Sequence, residues 1–593
     1  MKSEIKDLLL KVDKPARYCG GEFNTPHIRS DAELRFLMCF PDVYEVAHSN
    51  LGIKILYYML NNRADTACES CYMVWSDMLT ELKSRGMRLF SQETHTPLCE
   101  FDAVGFSLQY EMSYTNVLAM LELGGVPVLR AERGEASPII VAGGPCVINP
   151  MPLTDFIDVF SIGDGEEAIS LLADTIVKGK REGWGRNETL KRIAEIDGMF
   201  VPGVSAGKVR RAVIDSLETA FFPTKVQIPN IEAVFSRSVL EIFRGCTRGC
   251  RFCQAGMIYR PVRERTPETL KRYTEELIAN NGFDEITLSS LSTCDYPCLR
   301  ELLAKIKPVC DERHVNISLP STRVDSFEAE FVATGRLSSM TFAPEAGTQR
   351  LRDVINKNVT ENDVLTSCGY AFEKGYHAVK LYFMLGLPTE TDEDILGIAE
   401  LVKKIKYCYK SHASSRKPLS LSVSTSVFVP KPFTPFQWEA QISLPEIERR
   451  QALLKNALKP LNVKYNYHDG KTSRIEATLA RGDERMNGVI KAAYDSGCIF
   501  DSWTEFFDYD KWMDAFERCG VEPDDYCGEQ SLEIPCAWER IEAGISREFL
   551  LREREKSRRG ELTKDCRKGC NNCGINKEYP SAFKINCAGG NEC

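Results

Sequence analysis

The sequence predicts an α/β protein in which a doubly wound N-terminal domain precedes a partial barrel of six βα units. Two observations lead to this prediction. Short apolar runs alternate with stretches of helical period through most of the chain, and the runs of the second series lie about 25–45 residues apart. Such alternation is typical of parallel sheets covered by helices. A full barrel needs eight βα units, so six units predict an open one.

The alternating pattern in the first 200 residues predicts a set of strands, and a ligand could bind at their carboxyl ends. Five apolar runs are predicted as buried strands, at 36–40, 102–106, 126–130, 139–143 and 158–163. Helical periodicity fits stretches near 51–61, 76–85, 115–124 and 166–179. Glycine turns at 143–145 and 163–166 follow two of the strands, where open α/β sheets bind ligands. Tight turns without a ligand are the alternative.

The second series and the regions around it divide the chain into five segments. Six strands are predicted, at 239–243, 285–290, 315–319, 339–343, 378–384 and 421–429. A new helix begins after Ser443, and we expect an α+β region there, followed by a basic, cysteine-rich tail. The expected segments are an N-terminal domain, a connector, the barrel, an accessory region and the tail, at 1–204, 205–235, 236–440, 441–546 and 547–593.

The composition of the 593-residue chain excludes several classes of protein. Its 43% hydrophobic and 27% charged residues are close to the globular average, which excludes a mostly disordered chain. No apolar run reaches the roughly 20 residues that span a bilayer, and the first residues are too charged for a signal peptide. A net charge of −9 argues against a surface built to cover nucleic acid. We therefore expect a cytoplasmic protein without a membrane segment.

The 23 cysteines are the unusual feature of the composition. In a reducing compartment, cysteines are buried thiols or metal ligands and rarely form disulfides. Cys246, Cys250 and Cys253 follow the first strand of the second series with C-x3-C-x2-C spacing. Three thiolates on a short loop can hold three irons of a [4Fe–4S] cluster and leave the fourth iron open. A zinc site is the alternative, although zinc more often takes four ligands from C-x2-C pairs.

This loop resembles the signature of the radical S-adenosylmethionine (SAM) superfamily, in which three such cysteines follow the first strand of a partial barrel. The aromatic residue before the last cysteine is Phe252. The resemblance implies that SAM chelates the open iron and that an electron from the reduced cluster cleaves its carbon–sulfur bond. The product would be a 5′-deoxyadenosyl radical, which abstracts hydrogen from unreactive carbon. An electron donor of the flavodoxin or ferredoxin type is implied as a partner.

The same resemblance implies roles for residues at the ends of other barrel strands. Glu345 would hold the ribose hydroxyls, Gly386 lies in the segment that packs on adenine, and Arg323 could pair with the methionine carboxylate. A structural ion pair is the alternative for Arg323. After the second strand the superfamily often has Gly-Gly-Glu for the methionine amine, whereas this chain has LSSLSTCDY. Ser289, Ser290 and Ser292 could substitute for this motif, and of these we name Ser290 as the candidate for the amine contact.

The N-terminal domain resembles the Rossmann-like front domain of the cobalamin-binding radical SAM proteins, and the similarity to one fused branch of them covers almost the whole chain. It is carried by segments such as PARYCGGEFN, AGGPCVINPMPLTDF, VFVPKPFTPFQW and RIEATLARGDERM. The resemblance implies cobalamin. None of the seven histidines lies in the D-x-H-x-x-G motif that supplies a lower axial ligand in many cobalamin domains. A domain that only supports the substrate is the alternative.

A second C-x3-C-x2-C motif lies near the end of the chain, formed by Cys566, Cys570 and Cys573. With Cys587 as a fourth ligand, it could hold a second [4Fe–4S] cluster or a zinc ion. It lies far along the chain from the barrel and no predicted strand precedes it. The stretch 547–568 before it has nine basic and five acidic residues, which predicts either RNA contact or a solvated helix face.

Together these features predict a radical SAM iron–sulfur enzyme that modifies an unidentified substrate. One hypothesis is cobalamin-assisted methyl transfer or rearrangement at an unactivated carbon. A second is methylthiotransferase-like modification of RNA or protein, in which the C-terminal cluster donates sulfur or relays electrons. A third, from another class, is a metal-stabilised binding factor without catalytic activity.

Overall fold

The N-terminal domain is built on a six-stranded sheet in our computed structural model, which describes residues 3–319, 340–414 and 417–583. Its strands are β1 (Leu34–Phe40), β2 (Thr66–Tyr72), β3 (Ala103–Ser107), β4 (Ile139–Gly143), β5 (Val159–Ser161) and β6 (Met199–Phe200). The order across the sheet is β2-β1-β3-β4-β5-β6, and β6 alone runs antiparallel to its neighbour. The carboxyl ends of the five parallel strands therefore lie along one edge, where doubly wound sheets bind ligands.

Helices pack on both faces of this sheet, as the alternating pattern predicts. On one face of β1, Leu37 and Cys39 share a core with the helices at 76–85 and 114–123. On the other face, Phe36 and Met38 share a core with the helices at 51–61 and 165–182. The four predicted helices are confirmed. The helices are α1 (Ser3–Leu9), α2 (Tyr44–Ala47), α3 (Leu51–Asn61), α4 (Ser76–Arg85), α5 (Tyr114–Leu123), α6 (Gly165–Glu182) and α7 (Arg186–Ile193).

One predicted strand of this domain is absent, and two of its strands, β2 and β6, were not predicted. The run 126–130 forms no strand, because the buried guanidinium of Arg133 donates hydrogen bonds to the carbonyls of Pro127 at 3.0 Å and Val128 at 2.9 Å. Conversely, β2 was missed because its sequence, TACESCY, contains charged and polar residues. The buried carboxylate of Glu69 on β2 accepts hydrogen bonds from Ser91 and Thr94 hydroxyls, each at 2.6 Å, so the charge is satisfied inside the protein.

The barrel region contains all six predicted strands and a seventh at its edge. A short strand, β7 (Val209–Arg210), lies in the otherwise irregular connector. The following strands are β8 (Ser238–Glu241), β9 (Phe243–Arg244), β10 (Arg263–Glu264), β11 (Glu285–Ser289), β12 (Asn316–Ser318), β13 (Met340–Glu345), β14 (Ala378–Leu385), β15 (Ser420–Val427) and β16 (Lys464–Tyr467). Two parallel arcs result, β12-β11-β8 and β13-β14-β15-β16, while β9 and β10 pair in an antiparallel ribbon.

Helices cover the outer side of both arcs. Buried residues of the long helix after β14, such as Ile398 and Val402, pack on Leu381 and Val423 of the strands beneath them. The barrel helices are α8 (Ala255–Ile258), α9 (Pro267–Asn281), α10 (Leu299–Glu312), α11 (Gln349–Val354), α12 (Glu361–Glu373) and α13 (Asp392–His412). The region therefore has the βα architecture that the spacing of apolar runs predicts.

Part of the C-terminal region returns to the N-terminal domain, whereas buried residues between 545 and 582 form a smaller core with Met257 and Trp438. Met486 and Val489 lie in the same core as Leu118 of α5, and the Asn487 amide donates to the Met151 carbonyl at 3.0 Å. Its elements are α14 (Leu444–Leu458), α15 (Gly470–Arg481), α16 (Arg485–Asp495), α17 (Tyr509–Cys519), α18 (Pro523–Cys527), β17 (Ile541–Glu542), α19 (Arg547–Arg558) and α20 (Ile575–Glu578). Strand β17 pairs with β7 of the connector. In the described part of the chain, no helix is both long and apolar enough to cross a membrane.

A buried carboxyl in this returning contact predicts a pH-dependent stability. Asp501 accepts hydrogen bonds from Thr115 Oγ1 at 2.6 Å and Trp512 Nε1 at 3.0 Å. Burial raises its pKa to about 6, and the two hydrogen bonds oppose this shift. Since the unfolded carboxyl titrates near 3.9, the folded state binds more protons between about pH 4 and pH 6. The free energy of unfolding must therefore fall as the pH rises through this window.

We expect Asp501→Asn to remove this pH dependence, because the amide is isosteric and uncharged. The free energy of unfolding of the mutant, relative to that of the wild type, should increase by roughly 3 kcal/mol from pH 4 to pH 7. Thermal unfolding across this range measures it. Asp495→Asn, which removes a surface partner of Lys491, is the control and should leave the pH profile unchanged. Parallel profiles for D501N and wild type would contradict the prediction.

Candidate active site

The first cysteine loop, residues 245–254, carries Cys246, Cys250 and Cys253 from the end of β9 to the start of α8. Gly245 has a φ of 95°, and a Cβ there would lie 2.8 Å from the Tyr259 carbonyl oxygen, so no larger residue fits. The loop therefore turns sharply as it leaves the barrel strand. All three thiols are half-buried on this turn.

The chemistry of these three donors matches a cluster better than a single ion. Burial and the neighbouring thiols of Cys250 and Cys246 raise the pKa of Cys253 to about 12, so a metal cation is needed to hold it as a thiolate. Within the described residues, no three His, Cys, Asp or Glu side chains converge on one point as a single ion requires. In a [4Fe–4S] cluster each thiolate binds a different iron, so the sulfurs stand farther apart.

Contacts from distant parts of the chain hold the first cysteine loop in place. The buried Arg251 donates to the Val354 carbonyl at 2.8 Å and pairs with Glu553 of α19 at 3.2 Å. The Asn356 amide donates to the Gly249 carbonyl at 3.1 Å. The loop is thus fixed by the barrel on one side and by the C-terminal region on the other.

A buried ionic cluster joins the N-terminal domain to the entry of this loop. Arg244, two residues before Cys246, pairs with Asp164 at 2.8 Å, Glu166 at 2.7 Å and Glu241 at 3.0 Å. Asp164 also pairs with Arg263 of β10. Burial alone would raise the pKa of Asp164, but the arginines Arg263 and Arg244 hold it well below its usual range. The carboxylate therefore stays charged and binds the two domains together.

A cavity of about 410 Å³ lies between the two domains, next to the first cysteine loop. Both predicted glycine turns line it, and so do the carboxyl ends of β3, β4 and β5 and the middle of β1. The barrel contributes Glu241, Phe243, Gly245 and Ser290 to the opposite wall. The sheet edge that binds ligands in doubly wound folds thus faces Gly245, at the start of the first cysteine loop, across one chamber.

The structure brings together most of the residues predicted to bind SAM. Phe252 packs in one apolar cluster with Ala346, which follows Glu345, and with Leu387, which follows Gly386. The three predicted positions therefore lie around the first cysteine loop. Gly386 has a φ of 83°, and its amide donates to Glu390 Oε2 at 2.7 Å.

The remaining predicted SAM contacts have different outcomes. Ser290 lines the chamber and shares a hydrogen bond of 3.0 Å with Thr293. Arg323 lies outside the described residues. Glu345 pairs with Lys357 at 3.1 Å, and Lys357 also lies near enough to Cys253 to affect its pKa. Sequence reasoning missed Lys357, because it lies in a loop without a motif.

The second cysteine loop, residues 565–574 with Cys566, Cys570 and Cys573, lies directly against the first, although it is far away along the chain. The Cys566 amide donates to the Thr247 carbonyl at 3.1 Å, and the Thr247 hydroxyl donates to Asp565 at 2.8 Å. Cys587 lies outside the described residues. The two cysteine loops therefore form one structural unit.

The basic stretch before the second cysteine loop is mostly neutralised within the protein. Arg554 of α19 is buried and pairs with Glu439 at 2.6 Å and Glu529 at 2.5 Å. Six of its nine basic residues form ion pairs, namely Arg547, Arg554, Lys556, Arg558, Arg559 and Arg567. These contacts favour a structural helix over an RNA-binding surface.

Comparison with known families identifies the two parts of this site. The barrel, residues 240–402, matches the family model described as the radical SAM superfamily. The chain belongs to the radical SAM superfamily. The N-terminal residues 52–202 match a second model, described as radical SAM proteins, N-terminal. The chain is an enzyme of the radical SAM class, with a [4Fe–4S] cluster and SAM as its cofactors. The alternative of a non-catalytic binding factor is therefore set aside.

Individual relatives are similar over different parts of the chain. The uncharacterised protein MJ0966 of Methanocaldococcus jannaschii is 29% identical over 461 residues, 77% of this chain and 95% of that protein. The tRNA-2-methylthio-N(6)-dimethylallyladenosine synthase of Clostridioides difficile is 26% identical over 182 residues, 29% of this chain and 38% of that protein.

Solved structures of radical SAM enzymes are similar at low identity. The methyltransferase TsrM of Kitasatospora setae, solved with cobalamin and a [4Fe–4S] cluster, is 16% identical with a TM-score of 0.48, covering 70% of this chain and 78% of that one. The cobalamin-dependent enzyme OxsB, solved with aqua-cobalamin and SAM, is 11% identical with a TM-score of 0.45, covering 93% and 83%.

We expect Asp164→Asn to destabilise the junction of the two domains strongly. The substitution leaves Arg244 and Arg263 buried without their shared anion, which costs about 3–5 kcal/mol when one partner of a buried pair is removed. Chemical denaturation followed by fluorescence measures the loss. Asp392→Asn, which breaks an exposed pair with Arg449, is the matched control and should cost about 1 kcal/mol or less. Equal losses in both variants would contradict the assigned role of Asp164.

Proposed function

We propose that this enzyme cleaves SAM reductively and transfers a methyl group to an unactivated carbon with the help of a corrinoid. The observation that carries the proposal is the chamber between the N-terminal sheet edge and the first cysteine loop. A reaction that combines two cofactors needs both within reach of one substrate, and this chamber adjoins both the N-terminal sheet edge and the start of the first cysteine loop. Each domain supplies one wall, so the junction holds the reacting groups together.

The residues of the N-terminal wall are compatible with a flat, amide-rimmed macrocycle. Gly105, Gly143 and Gly144 are among the lining residues of the chamber, together with Ser107 and Gln109, which carry a hydroxyl and an amide group. No histidine is among the described residues that line the chamber. A corrinoid bound here would therefore take no imidazole ligand from this wall.

The chain's own residues have distinct tasks in this proposal. When bound, the cluster with SAM supplies a 5′-deoxyadenosyl radical and the corrinoid supplies a methyl carrier. Cys246, Cys250 and Cys253 provide three thiolates, and Lys357 places a positive charge near Cys253, which favours its ionised form. Phe243 and Tyr259 line the chamber with apolar surface and exclude water from a reactive radical.

A second candidate reaction is methylthiolation of RNA or protein. The observation that favours it is the contact between the two cysteine loops, which would place a second metal centre beside the first. Such a centre could donate sulfur or relay electrons. A reduced protein of the flavodoxin or ferredoxin type is the proposed electron donor in either case.

We expect Cys250→Ala to abolish the formation of 5′-deoxyadenosine, because the cluster loses one of its three protein ligands. The assay is product analysis after anaerobic incubation with SAM and a strong reductant. Cys519→Ser, at an exposed cysteine on α17, is the control and should retain the wild-type rate. Persistent 5′-deoxyadenosine formation by C250A would refute the assigned role of this loop.

We expect Gly143→Leu to lower corrinoid binding at least about tenfold, because the side chain fills the chamber. A Cβ on Gly143 meets only ordinary contacts, 3.8 Å from the Ser161 carbonyl oxygen, so the strand itself should tolerate it. Absorbance titration with hydroxocobalamin measures the affinity, and iron content verifies folding. Gly134→Leu, with open space around its Cβ, is the matched control. Wild-type protein that binds no corrinoid, while still cleaving SAM, would leave methylthiolation as the supported reaction.

A further inference from the structure

A buried arginine lies between the two cysteine loops without a carboxylate partner. Arg260 is 4% exposed, and its Nε donates to the Gly256 carbonyl at 3.0 Å. Its Nη1 has no hydrogen-bond partner among the described residues, which contain no ion pair to this guanidinium. Arginine is almost never buried unless it is paired with an anion, so the missing partner requires an explanation.

Thiols of both cysteine loops face this guanidinium. Cys566 and Cys573 of the second loop and Cys246 of the first all lie within electrostatic range of Arg260. A Cβ on Gly249 would lie 3.3 Å from Arg260 Nη2, which places the guanidinium against the first loop as well. Neutral thiols are poor partners for a buried cation, whereas metal-bound thiolates carry negative charge.

The two loops share more than their cysteine spacing. Both read C-x-[KR]-G-C-x2-C, with Gly249 before Cys250 and Gly569 before Cys570. Both glycines have positive φ angles, 77° and 132° respectively, which other residues rarely adopt. The same local sequence thus places a glycine with a positive φ angle before the middle cysteine of each loop.

We propose that Cys566, Cys570 and Cys573 bind a second [4Fe–4S] cluster beside the SAM-binding cluster, and that Arg260 is the cation shared by the two. The proposal rests on the proposed function only in assigning a cluster to the first loop. Three thiolates on one short loop can each bind a different iron of a [4Fe–4S] cluster. The Cys566 amide donates a hydrogen bond to the carbonyl of Thr247, the residue that follows Cys246. The two clusters would therefore be near neighbours.

Iron counting on the full chain tests the second cluster. The protein is purified anaerobically, reconstituted with iron and sulfide, and compared with two triple variants, C246S/C250S/C253S and C566S/C570S/C573S. We expect about eight irons per chain in the wild type and about four in each variant. Cys519→Ser is the control and should keep the wild-type content.

Spectroscopy separates this proposal from the proposed function. In the C566S/C570S/C573S variant, SAM should still change the electron paramagnetic resonance signal of the reduced cluster, whereas the C246S/C250S/C253S variant should show a signal indifferent to SAM. About four irons in the wild type, with none lost from the C566S/C570S/C573S variant, would overturn the second cluster. Zinc that is lost only from that variant would overturn it too. Absence of SAM cleavage by a wild type with eight irons would instead refute the proposed function.

A third measurement does not depend on removing any cysteine. We expect Arg260→Gln to shift the midpoint potentials of both clusters to more negative values, because each reduced cluster loses the same neighbouring positive charge. Arg272→Gln, at an exposed arginine of α9, is the control and should leave both potentials unchanged. A shift of one potential alone, or of neither, would overturn the shared position of Arg260.

Discussion

The buried carboxylate of Asp164 is the contact on which the arrangement of the site depends. It lies at the end of β5 and pairs with Arg244, which immediately precedes the first cysteine loop, and with Arg263 on the opposite strand of the β9–β10 ribbon. A buried charge is stable only when its partners are held in place, so these ion pairs fix both the distance between the two domains and their relative orientation. Through them, the ligand-binding edge of one domain is held opposite the start of the first cysteine loop in the other.

The first cysteine loop is a meeting point for three regions of the chain. The barrel holds it through Asn356, the C-terminal helix α19 holds it through Glu553, and the second cysteine loop binds it through Cys566. A loop rich in glycine and cysteine has little structure of its own. Its shape is therefore imposed by contacts that form only when the whole chain has folded. The C-terminal region contributes two of these contacts, through Glu553 and Cys566.

Elements with a simple apolar pattern could be predicted from the sequence, and elements with buried polar groups could not. The six barrel strands and helices α3 to α6 show the expected periodicity because one side of each meets a core. Strand β2 escaped prediction because Glu69 is buried in a hydrogen-bond network that no local pattern reveals. The run 126–130 has the apolar pattern of a strand, but the Arg133 guanidinium donates hydrogen bonds to two of its carbonyls. Ser290 could be placed at the chamber from its strand end, whereas Lys357 and Arg260 carry no local signal.

The sequence by itself determined the fold class, the position of the first cysteine loop and the family, because periodicity and cysteine spacing are local properties of the chain. Only the tertiary structure decided that the two C-x3-C-x2-C motifs touch, although more than 300 residues separate Thr247 from Cys566. It also decided that Arg260 lies between them and that the N-terminal sheet edge closes a chamber over the first loop. The physical reason is that buried charges and interdomain cavities depend on residues that only folding brings together. The spacing of these residues along the chain does not give their distance in space.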